Sequence, residues 1–227
     1  MPKHAHAFAP GVVPLRLRHD HLRENPAPAF WEQLPFHLPQ RDDQSCGLAS
    51  LTQVTSALLA RRGRSPVSQD EMALALGKDD WTGGVTLAEL EALAIRAHET
   101  FSVEAMVRRY YAHAHAHAHA HAFDENEGSP EGLRDALLDL ERGGAFVIVN
   151  VALEPILGVG LGHHPPVGAY DRDADLVLLL DTFRQGWEPY WAPRALLWQA
   201  MSTIDQTAAA PRGYLVLRAG PDGRHRG

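Results

Sequence analysis

Three observations predict an α+β fold: helix-period apolar runs fill residues 46–100 and 130–142, short β-branched runs fill 145–151, 167–171, 175–180 and 213–218, and the helices come before most of the strands. With 227 residues, 45% of them hydrophobic, the chain is long enough for one domain with a real core. We therefore expect an N-terminal helical lobe and a C-terminal, mostly antiparallel β-sheet lobe. Residues 40–218 make up that domain, preceded by a proline-rich arm (1–39) and followed by a disordered tail (219–227).

The arm carries Pro10, Pro14, Pro26, Pro28, Pro35 and Pro39, which break any long helix. It reads as extended, with a short helical turn near Phe30–Leu34. Leu48, Leu51, Val54 and Leu58 then mark one face of a helix over 46–62, closed by Arg61, Arg62 and Gly63. Ser68 and Glu71 have capping-box spacing and open a helix through Leu76, stopped by Gly77. Thr86 caps another helix, whose Leu87, Leu90, Leu93 and Ala94 share a face. Phe101–Met106 reads as an edge strand. Ser129 and Pro130 open a helix with an apolar face of Leu133, Leu137, Leu138 and Leu140. Strands follow at Ala145–Val151, Val167–Asp171, Asp175–Leu180 and Gly213–Arg218.

Composition removes several function classes. A net charge of −7 gives nucleic acid no electrostatic reason to bind. A single cysteine excludes an intrachain disulfide and a Cys-rich metal store. No apolar run reaches the ~20 residues that span a bilayer, and the polar, proline-broken first ten residues do not resemble a secretory signal. The expectation is a cytoplasmic protein without a membrane partner.

The lone cysteine, Cys46, falls where a polar loop becomes a helix. Unpaired backbone N–H groups and the positive end of the helix dipole favour a thiolate there. Gln40, six residues earlier, can bring an amide donor near the sulfur. That is half of an acyl-transfer site. A cysteine taken alone is more often a packed core thiol, so the reading depends on finding a histidine and an acid. The stretch Gly162–Asp181 supplies both. Read as one hairpin turning near Asp173, it sets His163 ten residues before the turn and Asp181 eight after, at the same end of the ladder. Asp181 would hold His163 in one tautomer and stabilise its imidazolium. The adjacent His164 would face the other way on a strand, making the two a poor bidentate metal site. The chain has no Gly-x-Ser-x-Gly elbow, His-Glu-x-x-His helix, Cys-x-x-Cys pair or phosphate-cradling glycine loop.

Between Ala112 and Ala122, alanine and histidine alternate. His113, His115, His117, His119 and His121 would share one face of a strand, or pair at i,i+4 in a helix. Either arrangement could hold zinc, nickel, copper or cadmium. A low-complexity surface insertion accounts for the run equally simply.

Several segments in order resemble the phytochelatin synthase family: Gln40…Cys46-Gly-Leu-Ala-Ser, Phe146-Val-Ile-Val-Asn150, Gly162-His163-His-Pro-Pro-Val-Gly-Ala-Tyr170, Asp181-Thr-Phe-Arg184-x-x-Trp187-x-Pro-x-Trp191, Leu197…Asp205 and Arg212-Gly-Tyr214. They cover most of 40–217. The resemblance implies a papain-like cysteine proteinase fold and a γ-glutamylcysteinyltransferase. Such an enzyme forms a γ-Glu-Cys thioester from glutathione, releases glycine, and passes the acyl group to a second glutathione or to water. It implies that Cys46 is the nucleophile, His163 the general base and acid, Asp181 the orienting acid and Gln40 the oxyanion donor. Asp205 and Arg212 would hold the γ-glutamyl end near Gly162. Arg184 would engage the acceptor, beside Trp187, where the family usually has Tyr. The resemblance implies no resident cofactor: cadmium, zinc or copper would act as activators carried as glutathione thiolates. Papain-like members often pair as homodimers.

This chain also differs from the family pattern elsewhere. It has Pro165 where Ser is usual, it carries the Ala-His insertion, and its segment between the Cys46 helix and Gly84 looks shorter and differs in sequence. The Cys-rich C-terminal region of plant-type members is not expected. The chain reads as a short, bacterial-type member, a group often better at cleaving glycine from glutathione than at polymerising. Two other readings share some of these features: a papain-like peptidase cutting after Gly-Gly, and a metal-binding protein centred on the histidine run.

Overall fold

The computed structural model describes residues 8–78, 80–113, 127–184 and 186–220. Its elements in chain order are β1 (Val13–Pro14), α1 (Asp20–Glu24), α2 (Pro28–Gln33), α3 (Cys46–Arg61), α4 (Gln69–Leu76), α5 (Leu87–Thr100), β2 (Ala105–Ala112), β3 (Glu127–Gly128), α6 (Pro130–Glu141), β4 (Phe146–Ala152), α7 (Glu154–Leu157), β5 (Gly162–His163), β6 (Val167–Asp171), β7 (Leu176–Leu179), β8 (Tyr190–Pro193), α8 (Arg194–Met201), β9 (Ile204–Asp205), β10 (Ala210–Pro211) and β11 (Gly213–Ala219). The fold is α+β.

The capping signals act where the sequence sets them. Ser68 and Glu71 close a capping box on α4, and Gly77 ends that helix in the left-handed conformation, φ +57°. Thr86 and Glu89 form the same box on α5. Ser129 accepts from the Gly132 N–H, with Pro130 in the first turn of α6.

The strands build two main sheets, ordered β1-β8-β7-β6 and β3-β2-β11-β4-β5. Neither belongs to the second half of the chain alone. The arm contributes β1, with Val13 paired to Trp191. It also contributes α2, whose Ala29 and Phe30 are buried and whose Gln33 side chain donates to the Val167 carbonyl at 2.8 Å. The arm is thus a structural part of the domain, not an extension lying across it. The strand expected at Phe101–Met106 starts later and runs longer, from Ala105 to Ala112. It lies between β3 and β11 instead of at an edge. Phe101 caps α5 and Ser102 takes φ +48°, so the chain turns before the strand can begin. β8 and α8 are further elements that the sequence reading did not assign.

The spacing of Leu48, Leu51, Val54 and Leu58 predicts one apolar face for α3, yet the helix is buried on every side from Cys46 to Leu59. Most of its buried polar residues find partners within the core, the Thr55 hydroxyl being an exception. Thr52 donates to Leu48 O at 2.8 Å, Gln53 to Gln33 Oε1 at 3.2 Å, and Ser56 to Val67 O at 3.2 Å. Such pairing matters because an unpartnered buried hydroxyl or amide costs roughly 1–3 kcal/mol. Cys46, the first residue of α3, stands beside His163 and His164.

Among the described residues, no helix is long and apolar enough to cross a membrane. His115, His117, His119 and His121 lie outside the described residues, as does most of the tail expected to be disordered. His113 is half-buried at the end of β2. Among the described residues, no group of three or more His, Cys, Asp or Glu could hold a metal ion.

Candidate active site

A cleft of about 460 Å³ opens at the N-terminus of α3. Gln40, Cys46, Gly162, His163, Trp187, Asp205 and Arg212 all line it. Its wall at Gly83–Gly84 is tied to the loop before α3 by the Gly83 N–H, which donates to Gln44 Oε1.

Cys46 is 7% exposed. Ser45 occupies the N-cap position of α3 but makes no side-chain cap to the helix. Its hydroxyl is engaged instead with Asp42, accepting from the Asp42 N–H at 3.1 Å. The first-turn N–H groups of α3 are therefore left without a side-chain cap, the state in which a helix start best supports an anion. Gly47 lets this end of the helix approach the wall, since a Cβ there would stand 2.7 Å from Val85 Cγ2.

His163 and Asp181 meet: Nε2 lies 2.9 Å from Asp181 Oδ1, and both side chains are buried. The hairpin that predicted this meeting is shorter than expected. Its ladder runs from Asp171↔Leu176 back to Val167↔Leu179 and stops there. His163 is not on it: β5 pairs with β4 in the other sheet, His163 opposite Val151. Pro165 and Pro166 carry the chain between the sheets, and the Leu180 N–H donates to Pro166 O at 2.9 Å, keeping the two arms close past the ladder's end. The juxtaposition holds, across a gap between sheets instead of within one.

Charge runs along this line. Burial pushes the Cys46 thiol up, but the His163 charge and hydrogen bonds from His163 and His164 outweigh it and bring its pKa down to about 5. Burial pulls His163 down, but Asp181 and Cys46 on either side raise it to about 10. Burial pushes Asp181 up, and it is held below its ordinary value by the His163 charge and hydrogen bond and by the Phe183 N–H at 2.8 Å. These shifts all favour a thiolate–imidazolium pair backed by a carboxylate.

Gln40 is 7% exposed. Its amide oxygen accepts from Thr182 Oγ1 at 3.0 Å and its nitrogen donates to Asp42 O at 2.8 Å. One of its two amide hydrogens is therefore committed to the loop, and the group is held rigidly from both ends. At the far end of the cleft, Arg212 Nη1 lies 3.0 Å from Asp205 Oδ2 and donates to Asn150 Oδ1 at 2.8 Å. Burial holds the Arg212 guanidinium below its ordinary pKa, against the pull of Asp205. Gly162 leaves room for the guanidinium, since a Cβ would sit 2.7 Å from Arg212 Nη1.

Arg184 lies apart from this cleft. The tight turn in which Gly186 N–H donates to Phe183 O directs Phe183 and Trp187 into the cleft. Arg184 faces outward instead, lining a separate cavity of about 260 Å³ with Arg16, His37 and Glu188.

Sequence reasoning missed two groups at the site. Asn150 sits on β4 opposite Gly213 and bridges Asp205 and Arg212; a lone Asn inside a β-branched run was the available signal. His164 was set aside on strand alternation, but β5 ends at His163, so alternation does not apply to it.

Comparison with known proteins agrees with this architecture. The family model for phytochelatin synthase matches residues 17–214. Glutathione gamma-glutamylcysteinyltransferase 3 of Lotus japonicus is 30% identical over 192 residues, covering 83% of this chain and 37% of that protein. Glutathione gamma-glutamylcysteinyltransferase 2 of Arabidopsis thaliana is 26% identical over 197 residues, covering 86% of this chain and 41% of that protein. The chain thus spans well under half the length of these relatives. It belongs to the phytochelatin synthase family.

Proposed function

We propose that this chain is a cysteine acyltransferase of papain-like design that takes glutathione as acyl donor. The observation that carries the reading is the line from Cys46 through His163 to Asp181, set in a cleft whose other end carries Arg212 and Asp205. The relatives' names supply glutathione as the substrate to test.

In this reading the Cys46 thiolate attacks the carbonyl of the Cys–Gly amide. The oxyanion meets the free N–H groups at the start of α3 and the second amide hydrogen of Gln40. As the C–N bond breaks, the His163 imidazolium gives its proton to the departing glycine amine, leaving a γ-Glu-Cys thioester on Cys46. Neutral His163 then takes a proton from the incoming nucleophile, water or the α-amine of a second glutathione, and the thiolate leaves. Asp181 keeps Nε2 of His163 occupied, so the other ring nitrogen serves the sulfur. The γ-glutamyl group would bind at the far end, its α-carboxylate on Arg212 and its ammonium on Asp205. Trp187 forms an apolar wall for the peptide.

The test is incubation with glutathione, with and without cadmium, zinc or copper, followed by mass spectrometry. Glycine and γ-glutamylcysteine mark hydrolysis, and γ-glutamylcysteine oligomers ending in glycine mark transfer. Metals would act by masking glutathione thiols rather than as a resident centre. Absence of glutathione turnover under every metal condition overturns the reading.

A further inference from the structure

We propose that His164 is a second thiolate-stabilising residue, donating a hydrogen bond from Nδ1–H to Cys46. The inference rests on the nucleophilic reading of Cys46 given above. Three observations carry it. His164 Nδ1 lies 3.8 Å from Cys46 Sγ, within hydrogen-bond range for sulfur. The imidazole is 4% exposed, and its Nε2 has no hydrogen-bond partner among the described residues, so Sγ is the polar group this buried ring is given. The backbone carrying it is clamped: Ser50 Oγ donates to His164 O at 2.5 Å, and the Val149 N–H donates to Pro165 O at 3.1 Å.

The clamp explains why the ring stands where it does. Cys46 and Ser50 are one helical turn apart on the same face of α3. The residue that presents the sulfur and the residue that grips His164 are therefore fixed to each other by the helix. His164 follows the end of β5, so its side chain is free of strand alternation and turns to the same sulfur as His163. With its proton on Nδ1, the imidazole donates to the thiolate. His163 is paired with Asp181 and shuttles the proton. Among the described residues His164 has no carboxylate partner, and it would hold the sulfur's negative charge, both before attack and when the thioester is resolved and the thiolate leaves again.

The other ionisable groups around this sulfur are His163 with Asp181 behind it, Asp43 from the loop before α3, and the Asp205–Arg212 pair at the far end of the cleft. None of them is altered by substitution at position 164. The measurement is the pH dependence of Cys46 alkylation by iodoacetamide, which needs no glutathione. A hydrogen bond to a charged group is worth enough to move a pKa by about one to two units. His164→Phe is therefore expected to raise the alkylation midpoint by that amount. His164→Asn, whose amide nitrogen can occupy the Nδ1 position, is expected to stay near the parent midpoint. Ser50→Ala, which loosens the clamp while keeping the ring, is expected to raise it by less. Glycine release by His164→Phe should fall about tenfold at a pH one unit below its new midpoint and much less at pH 9.

An unmoved midpoint in a folded His164→Phe protein overturns the proposal, as does an equal rise in His164→Asn, which would reduce the effect to packing. If His164→Phe does not fold, the Asn and Ser50→Ala variants still decide it. A parent midpoint near that of an ordinary thiol overturns this inference and the nucleophilic reading together. A low parent midpoint that ignores position 164 overturns this inference alone.

Discussion

At one end of the cleft, Cys46, His163 and Asp181 form a line in which each charge holds the next, and the carboxylate at its back is fully buried. At the other end, Asp205 and Arg212 close on each other, with Asn150 bridging both. The first set is complete as it stands. Its Phe183 N–H and His163 contacts hold Asp181 in place, and the substrate carbonyl need only arrive. The second set consists of two charges that neutralise each other and must share or exchange partners when a zwitterionic γ-glutamyl group binds. The contrast is between a rigid reacting end and a binding end that is preformed in position but not in partnership. Chemistry needs reacting atoms held to within fractions of an ångström, whereas a self-paired Asp–Arg pair keeps two charges in a half-dry site at bearable cost until a ligand takes them over.

The contrast breaks first at Asp181. Asp181→Asn should leave the fold intact by circular dichroism and lower glycine release by roughly 10²–10⁴-fold, because the amide can present its N–H to His163 and favour the wrong tautomer. Near-parent turnover would remove Asp181 from the reacting end.

Next in size is the binding end. Arg212→Ala leaves Asp205 buried without its cation and is expected to cost about 3–5 kcal/mol in stability. Asp205→Asn/Arg212→Gln should recover most of that loss in a denaturant melt, yet kcat/KM for glutathione should stay about 100-fold down, as expected for loss of two charge-assisted contacts. Recovered affinity in the double variant would mean that the pair is structural.

The reacting end also has a pH signature. The folded Cys46 value of about 5 lies below the thiol's ordinary 9.0, so its contribution to stability is complete above pH 9 and is lost as pH falls through 5. The folded His163 value of about 10 lies above the ordinary 6.5, so its contribution is complete below pH 6.5 and is lost as pH rises through 10. The two slopes cancel between pH 6.5 and 9. Stability should be level across that window and fall on both sides of it, and kcat/KM should follow a bell with limbs near 5 and 10. Cys46→Ala should flatten the acid side of the stability curve; an unchanged curve would deny the charged pair.

How much of this was legible in the sequence follows the range of the interactions. Caps at Ser68, Thr86 and Ser129 involve neighbours within one turn, and each was readable from spacing. Cys46 at a loop-to-helix boundary was readable for the same reason. The His163–Asp181 meeting was anticipated from a ladder that stops short of both residues, so proximity was right while the pairing partner of β5 was wrong. Long-range pairings left no local trace. Nothing near Val13 announces Trp191, and the alternation of β2 is masked by Arg108 and Arg109, whose partners lie on α5 and β11. The outward turn of Arg184 depends on a hydrogen bond between Phe183 and Gly186, which the motif's spacing does not reveal. The burial of α3 on all sides was hidden because its second face is polar, and that face became readable only once Gln33, Val67 and His164 were known to accept from it.

Gly162 is the smallest change that separates the two ends, and it touches neither set of charges directly. It adjoins His163 on β5, and its missing side chain makes room for Arg212. Gly162→Ala adds a methyl 2.7 Å from Arg212 Nη1, too close to be accommodated without moving the guanidinium. If the ends are independent, Arg212 gives way, kcat/KM falls about tenfold, corresponding to about 1.4 kcal/mol of lost binding, and kcat at saturating glutathione stays near the parent value. The iodoacetamide midpoint of Cys46 should not move. If the backbone gives way instead, β5 shifts His163 away from Asp181, and kcat and the midpoint change together. The flexible partner is the arginine: it ends in a rotatable side chain, while His163 is held by strand pairing to Val151 and by Asp181. A fall confined to kcat/KM is therefore the expected result, and a joint fall would show that the reacting end is only as rigid as the strand it shares with the binding end.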